Sequence, residues 1–254
     1  MLEEEWLSRT SLLMGDEKLT RLRRSHVAVI GLGGVGAYAA EQICRAGVGT
    51  MTIVDGDVVQ PSNRNRQLPA LCSTEGMYKA DIVGNRLRDI NPGIRLNVVK
   101  DYLKDEKITN LLDQGFDYVV DAIDTLGPKV HLIVETLKRN IGLISSMGAG
   151  GKMDPSMVRV DDISQSRNCR LAFYIRKRLH RLGIYSGFQV VYSPEPVDPS
   201  AVRETANDPN KRSVVGTISY LPAIFGCYCA AAAVRGLIGD RPHHPLPVAG
   251  LERR

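Results

Sequence analysis

The chain has 254 residues, of which 43% are hydrophobic and 24% are charged. A chain of this length can bury a substantial core without disulfides or metal staples. Its five cysteines form no C-x-x-C pair, which argues against a disulfide framework and against a four-cysteine zinc site. The acidic start "MLEEEWLSRT" is unlike a secretory signal, and we therefore expect a cytoplasmic protein.

Strands and helices alternate through the first 150 residues. Short amphipathic helices in residues 11–24 lead into the strand "HVAVI", a helix from Val35 to Ala46 and the strand "TMTIVD". A helix within "MYKADIVGNRLRDI", the strand "IRLNVV", a short helix ending at "LLDQG", the strand "FDYVVDAID", a helix opened by Pro128 and the strand "IGLISSM" follow. This order predicts a Rossmann-like α/β fold with an open, mostly parallel sheet.

The pattern changes after Gly151. The segments "MVRVDDIS" and "FQVVYS" are typical of strands that extend the sheet, with a basic helix between them. Residues 193–213 are rich in Pro, Asp and Ser and predict a mobile loop. We therefore expect one domain over residues 1–239 and a flexible tail over 240–254.

One apolar segment is long enough to cross a bilayer. Residues 214–234 carry no charge over 21 positions, which is about the length of a membrane span. Ser219, Pro222 and the alanines weaken that interpretation. We expect a buried helix and no stable membrane insertion.

A glycine loop follows the first strand. Gly31, Gly33, Gly34 and Gly36 form a G-x-G-G-x-G pattern between strand and helix, where backbone N–H groups can approach a phosphate. Asp55 ends the second strand, at the spacing of a ribose-binding carboxylate. These features indicate a nucleotide-binding site but do not distinguish NAD from ATP.

A polar loop and two acids favour ATP. The loop "SNRNRQ" covers residues 62–67, follows Asp55 and Asp57, and precedes Lys79 on the next helix. Asp121 and Asp124 lie at the carboxyl edge of the fourth predicted strand, where ligands of parallel sheets bind. Cationic side chains beside carboxylates suit ATP with Mg²⁺ better than a hydride carrier.

At these residues the sequence resembles the E1-like superfamily of ATP-dependent adenylating enzymes. The motifs are "GLGGVG", "DGDVVQPSNRNRQ", "GMYKAD" and "DAIDTLGPK". Within that superfamily it looks most like the tRNA threonylcarbamoyladenosine dehydratases. The segments "SRTSLLMGDEKL", "SSMGAGGKMDPS", "VVYSPE" and "GTISYLPAIFG" point there.

The resemblance implies a role for each matching residue. The four glycines would cradle ATP, Asp55 would bind the ribose, and Asp57 would belong to the same site. Asn63, Arg66, Gln67 and Lys79 would hold the phosphates, and Asp124 would hold Mg²⁺. Arg9 would reach the ATP of a partner subunit, which implies a homodimer. Arg66, Lys79, Arg9 and Asp124 would be the catalytic residues.

The implied reaction cyclises N6-threonylcarbamoyladenosine at position 37 of a tRNA. The threonyl carboxylate attacks the α-phosphate of ATP, pyrophosphate leaves, and the carbamoyl nitrogen then displaces AMP to give a hydantoin. A structural monovalent cation and a sulfur-transfer partner are further expectations for such an enzyme. The ring closure is intramolecular and requires no enzyme cysteine.

A basic segment offers a surface for RNA. Residues 166–181, "SRNCRLAFYIRKRLHR", hold six arginines and lysines and no acid. On a helix Arg167, Arg170, Arg178 and Arg181 would share one face. Leu171, Ile175, Leu179 and Leu182 would face the core. The alternative is an ordinary solvated charged face.

Two other functions stay open at this point. An activator of a sulfur-carrier or ubiquitin-like protein shares the adenylation motifs, although such activators usually carry zinc through two C-x-x-C pairs that this chain lacks. An NAD-dependent oxidoreductase would not need the polar loop, Lys79 or Asp124. Among the cysteines, Cys169 is the better thiol candidate, whereas Cys227 and Cys229 are expected in the core.

Overall fold

A computed structural model describes residues 5–204 and 213–240. Except for Asp240, the predicted tail at 240–254 lies outside the described residues, as does the 205–212 part of the predicted loop. The single-domain interpretation of residues 1–239 stays a prediction.

The core is one sheet of seven strands. Its order is β3-β2-β1-β4-β5-β7-β6, with β6 antiparallel to β7 and the other pairs parallel. The strands are β1 His26–Ile30, β2 Thr50–Val54, β3 Arg95–Val99, β4 Tyr118–Asp121, β5 Gly142–Ser146, β6 Arg159–Asp162 and β7 Gln189–Tyr192. The predicted Rossmann-like sheet, with a parallel core extended by C-terminal strands, is confirmed. β4 ends at Asp121, three residues earlier than predicted, and an irregular segment at residues 122–124 follows it.

Helices cover both faces of the sheet, as apolar strands buried on two sides require. The described helices are α1 Ser8–Met14, α2 Asp16–Arg24, α3 Gly36–Arg45, α4 Lys79–Ile90, α5 Glu106–Leu112, α6 Leu126–Lys138, α7 Arg170–His180 and α8 Tyr220–Leu237. Helices α2, α3, α4 and α8 share one apolar core. Helices α5, α6 and α7 share a second core on the opposite face.

The apolar segment forms α8, which packs against α3 and against the sheet. Its length and composition would allow a membrane span, but 44% of it is buried inside the protein. Gly226 permits the close packing, since a Cβ there would lie 2.5 Å from the carbonyl oxygen of Val35. These contacts favour the expected core helix over a span.

The predicted 193–213 loop is partly regular. It contains the short strand β8, Val202–Glu204, which pairs antiparallel with β9, Ser213–Val215. The Pro- and Asp-rich composition therefore surrounds a short strand pair, and the mobility of the segment stays a prediction.

Candidate active site

The glycine turn joins β1 to α3 at the carboxyl edge of the sheet. Gly31 has φ +89°, and a Cβ on Gly36 would lie 1.7 Å from the carbonyl oxygen of Gly31. No other residue fits at Gly36 without moving the backbone. The turn therefore brings the start of α3 close to β1 and leaves main-chain N–H groups near a potential ligand.

Asp55 lies directly beside this turn. Its Oδ2 accepts a hydrogen bond from Leu32 N–H at 2.6 Å, and its Oδ1 accepts one from Asp57 N–H at 2.7 Å. Burial raises the pKa of Asp55, although Lys79 and the two backbone N–H groups oppose that shift. The carboxylate is thus held in one orientation at the end of β2, where a ribose would be bound.

Asp57 contacts two further polar side chains, Lys79 and Tyr102. Its Oδ2 lies 2.8 Å from Lys79 Nζ, and its Oδ1 accepts a 2.6 Å hydrogen bond from the Tyr102 hydroxyl. Lys79 is only 4% exposed. Hydrogen bonding to Asp57 is the main reason that the pKa of Tyr102 rises to about 12. A buried ammonium group is thereby fixed close to Asp55.

The polar loop folds over the glycine turn. Asn63 Oδ1 accepts a hydrogen bond from Gln60 N–H at 3.1 Å, and Arg66 Nη1 donates to the Ser62 carbonyl at 3.0 Å. Gln67 Nε2 lies 3.6 Å from the position of a Cβ on Gly33. Among the described residues Gln67 Oε1 is buried and has no hydrogen-bond partner, which indicates that a ligand or water completes this contact.

The two aspartates after β4 have different environments. Asp121 is fully buried, lies 2.8 Å from Lys129 Nζ and accepts a 2.6 Å hydrogen bond from the Ser145 hydroxyl. Asp124 is exposed at the carboxyl edge, just before α6. Asp121 is therefore held inside the fold, whereas Asp124 lies at the surface.

The acidic side chains at this edge bear on which metal ion the site could bind. No group of three or more His, Cys, Asp or Glu side chains that could hold a metal occurs in residues 5–204 and 213–240. Mg²⁺ commonly uses one or two carboxylates together with phosphates and water. Asp124, an exposed carboxylate at the carboxyl edge of the sheet, fits that pattern.

Arg9 lies far from this edge of its own chain. It is on α1, and the neighbouring Leu7 packs close to Gly47, just beyond the C-terminal end of α3. The glycine turn lies at the other end of α3. The remaining predicted arginines, Arg167, Arg170, Arg178 and Arg181, are all exposed on or beside α7.

The structure corrects two expectations about buried residues. Cys227 is exposed, although Cys229 and Cys169 are buried. Leu182 is 58% exposed, because α7 ends at His180 and Leu182 lies in the following turn. Leu171 is partly buried, and Ile175 and Leu179 are buried, as the helical spacing predicted.

Two residues of the site were missed from the sequence. Tyr102 contacts Asp57 across 45 positions, and Lys129 neutralises Asp121. A signal existed for Tyr102, since it follows β3 at the carboxyl edge of the sheet. Lys129 follows Pro128 in the first turn of α6, where a basic residue is usually exposed.

A glycine turn, an ordered Asp55 and a buried Lys79 at one sheet edge define a nucleotide-binding α/β protein. The family model described as "ThiF family" matches residues 7–249, and the chain belongs to the ThiF family. A Bacillus subtilis tRNA threonylcarbamoyladenosine dehydratase is 40% identical over 92% of this chain and 94% of its own length. The Escherichia coli dehydratase is 32% identical over 94% of this chain and 96% of its own length.

Solved structures agree with these relatives. The crystal structure of the E. coli dehydratase TcdA in complex with ATP superposes with a TM-score of 0.85 at 31% identity, over 93% of this chain and 95% of that one. TcdA has also been solved in complex with AMP. E. coli MccB with ATP, at 16% identity and a TM-score of 0.64, shows a shared fold alone.

Similarity to sulfur-carrier activators is more limited. The adenylyltransferase and sulfurtransferase UBA4 of Candida glabrata is 30% identical over 59% of this chain and 34% of its own length. The Bacillus subtilis and Escherichia coli dehydratases match almost end to end. The comparison therefore favours the dehydratases over the protein-activating alternative.

Proposed function

We propose that this chain is an ATP-dependent tRNA threonylcarbamoyladenosine dehydratase that adenylates the threonyl carboxylate. The observation that carries the proposal is the end-to-end similarity to dehydratases, together with the Gly31–Gly36 turn, Asp55 and Lys79 at one sheet edge. The substrate is a tRNA that carries threonylcarbamoyladenosine, and the cosubstrate is ATP.

The described side chains fit ATP. The glycine turn accommodates phosphates, and Asp55 lies where ribose hydroxyls would donate hydrogen bonds to it. Gln67 and Arg66 lie against the turn, at Gly33 and Gly34 respectively. Lys79 supplies a fixed positive charge for the phosphates. The triphosphate of ATP offers Lys79 and Arg66 more anionic oxygens than the diphosphate of NAD does.

Mg²⁺ fits at Asp124, and it would neutralise charge on the transferring phosphate when bound. Asp124 would hold the ion, while Arg66 and Lys79 hold phosphate oxygens. In this arrangement the chain orients the α-phosphate towards the incoming carboxylate. Oxygen–phosphorus bond formation expels pyrophosphate, and the carbamoyl nitrogen then attacks the acyl carbon and expels AMP. The net change is the loss of one water from the nucleoside as ATP becomes AMP and pyrophosphate.

We propose a homodimer, and the location of Arg9 supports it. Because α1 packs at the far end of α3, Arg9 is remote from the glycine turn of its own chain. A role for Arg9 at the phosphates therefore requires a second subunit that places α1 over this site. We propose such an arrangement, with each active site completed by the partner's Arg9.

The tRNA is proposed to contact α7. Arg167, Arg170, Arg178 and Arg181 are exposed, and Arg178 Nη1 lies 4.0 Å from the Cβ position of Gly127, in the first turn of α6. That turn follows Asp124 by three residues. A positive face that begins beside the reaction site would hold the phosphates of the substrate RNA.

A monovalent cation, a sulfur-transfer partner and a cytoplasmic location are further proposals. The monovalent cation would be structural, and Lys152 is a fixed cation of the chain itself, because its Nζ donates hydrogen bonds to the carbonyl oxygens of Asn168 and Glu195. A sulfur-transfer partner and a cytoplasmic location are consistent with a free-thiol chain. Residues 1–239 would act as one adenylation domain.

ATP–pyrophosphate exchange tests the proposal. Purified protein is assayed with tRNA carrying threonylcarbamoyladenosine, with unmodified tRNA and with a small carrier protein. We expect exchange only with the modified tRNA, and mass spectrometry of the recovered nucleoside should show the loss of one water. Asp124→Ala should abolish exchange. Asp89→Ala, at an exposed acid on α4, serves as the matched control.

Three results would contradict the proposal. Exchange that requires the carrier protein would indicate a protein activator. NAD binding without exchange would indicate an oxidoreductase. Equal activity of Asp124→Ala and Asp89→Ala would remove Asp124 from the metal site.

A further inference from the structure

The exposed face of α7 carries aromatic rings as well as positive charge. Phe173 is 52% exposed and Tyr174 is 42% exposed, although both are large rings on a helix whose opposite side is buried. Tyr185, just beyond the helix, is 58% exposed. Several exposed rings close together form an apolar patch, and such patches mark interaction sites more often than single exposed rings do.

Helical spacing places Tyr174 in the middle of the basic residues. At 100° per residue, Arg170 precedes it by four positions, Lys177 follows by three and Arg178 follows by four, so all lie on one side of the helix. Ala172, Ile175 and Leu179 occupy the other side and are buried. Tyr174 is therefore surrounded by cations on its own helix.

The two neighbouring rings are arranged edge to face. The centroids of Phe173 and Tyr174 lie 5.4 Å apart with an interplanar angle of 72°. Edge-to-face pairs of this kind attract each other by about 0.5–1.5 kcal/mol beyond the area that they bury. At the end of the same helix His180 and Tyr185 lie 4.9 Å apart. The face thus presents two pairs of neighbouring rings to a ligand.

This face leads directly to the reaction site. Arg178 lies beside Gly127 in the first turn of α6, and Asp124 is three residues earlier. A nucleic acid whose modified base enters the site at Asp124 would extend its neighbouring nucleotides over Arg178 and Tyr174. Phosphates suit the cations, and unstacked bases suit the rings.

We propose that the α7 face is a docking surface for the single-stranded loop of the substrate tRNA, with a nucleobase stacked on Tyr174 and flanking phosphates held by Arg170, Lys177 and Arg178. The proposal rests on the proposed function and adds base stacking to it. Charge identifies the partner as RNA, because residues 166–181 hold six arginines and lysines and no acid.

Substitutions of Tyr174 separate stacking from charge. Tyr174→Ala removes the ring, whereas Tyr174→Phe keeps it and removes the hydroxyl. Tyr228 is a matched control, because it is 38% exposed on α8, which packs on the opposite face of the sheet. Each variant is measured for its affinity for a synthetic anticodon stem-loop carrying threonylcarbamoyladenosine, for cyclisation kinetics and for ATP affinity.

We expect Tyr174→Ala to weaken RNA binding about tenfold, in line with the loss of one stacked base. The KM for the RNA should rise with little change in kcat, and ATP affinity should stay as in the wild type. Tyr174→Phe and Tyr228→Ala should bind RNA like the wild type. Arg170→Ala should lower the salt dependence of binding, which a ring substitution should not.

Several outcomes would overturn the proposal while the dehydratase function stands. Wild-type RNA affinity in Tyr174→Ala, or equal losses in Tyr174→Ala and Tyr174→Phe, would exclude stacking. A changed oligomeric state of Tyr174→Ala in sedimentation, with RNA binding intact, would make this face a protein interface. Failure of the wild-type protein to cyclise the modified RNA would instead contradict the proposed function itself.

Discussion

Lys79 Nζ lies 2.8 Å from Asp57 Oδ2, with the Lys79 side chain 5% exposed and that of Asp57 48% exposed. A nearly buried ammonium group is therefore held by a carboxylate that faces solvent. The pair keeps the positive charge beside Asp55 and oriented before any ligand arrives. Preorganised charge of this kind stabilises the phosphoryl-transfer transition state without reorganisation.

Substitutions of Lys79 and of Asp57 should lower activity by different amounts. Lys79→Met should lower kcat/KM for ATP–pyrophosphate exchange by about 100-fold, because it removes the charge itself. Asp57→Asn should lower it by about tenfold, because the charge remains but loses its anchor. The double variant should resemble Lys79→Met, since both act through one group. Additive losses would contradict this coupling, and Lys100→Met, at an exposed lysine, is the control.

Gly36→Ala should disrupt the nucleotide site. The added Cβ would meet the Gly31 carbonyl oxygen at 1.7 Å, and only a backbone shift relieves that contact. We expect about 2–3 kcal/mol lower unfolding free energy and loss of ATP binding by calorimetry. Gly93→Ala is the control, because its nearest neighbour is a side-chain atom at 3.5 Å. Normal ATP binding by Gly36→Ala would show that the turn tolerates the shift.

The Asp121–Lys129 pair should dominate the stability of the β4–α6 connection. Both side chains are 0% exposed, so removing either one leaves a buried charge. We expect Asp121→Asn or Lys129→Met to cost about 3–5 kcal/mol in urea unfolding. A combined Asp121→Asn, Lys129→Met variant should recover part of that loss. Equal stability of single variants and wild type would rule out a buried ion pair.

Glu41 should make stability depend on acidic pH. Burial by itself raises the pKa of Glu41, but hydrogen bonds and charge from Arg86 and Arg45 outweigh it and lower the pKa from its usual 4.5. A lowered carboxyl pKa stabilises the fold above that usual value, and the contribution is lost as pH falls through the folded-state pKa. Both arginines are about half exposed, so we expect only about 1 kcal/mol.

The measurement compares wild type with Glu41→Gln. Their unfolding free energies should differ near neutral pH and converge as the pH falls below 4.5. A difference that grows on acidification would reverse the predicted sign. Asp198→Asn is the control, because its exposed carboxylate accepts a hydrogen bond from Ser200 N–H within its own turn.

Lys152 should act as a tethered cation. Its Nζ donates hydrogen bonds to the carbonyl oxygens of Asn168, at 3.0 Å, and Glu195, and burial lowers the pKa of Lys152. Lys152→Ala leaves these acceptors without a charge, at a cost of about 1–3 kcal/mol. We expect thermal unfolding of this variant to respond to K⁺ more than to the larger tetramethylammonium ion. Identical melting in both salts would contradict this role.

Much of the architecture follows from local pattern. Three patterns reflect backbone geometry that neighbouring residues control. They are the alternation of strands and helices, the glycine spacing at Gly31–Gly36 and the apolar period of α7. The position of Asp55 at the end of a strand follows for the same reason. The sequence alone thus determined the open α/β sheet, its nucleotide-binding edge and the basic face of α7.

Tertiary structure decided which side chains meet. Asp121 and Asp124 look alike in sequence, but only the packing of α6 against β4 buries Asp121 with Lys129. Tyr102 reaches Asp57 because β3 pairs with β2. The spacing of residues along the chain does not determine the order of the strands in the sheet. The packing of α1 decides where Arg9 lies, and the packing of α8 decides that Cys227 is exposed. Long-range contacts of this kind depend on the whole fold, because they join residues that no local pattern connects.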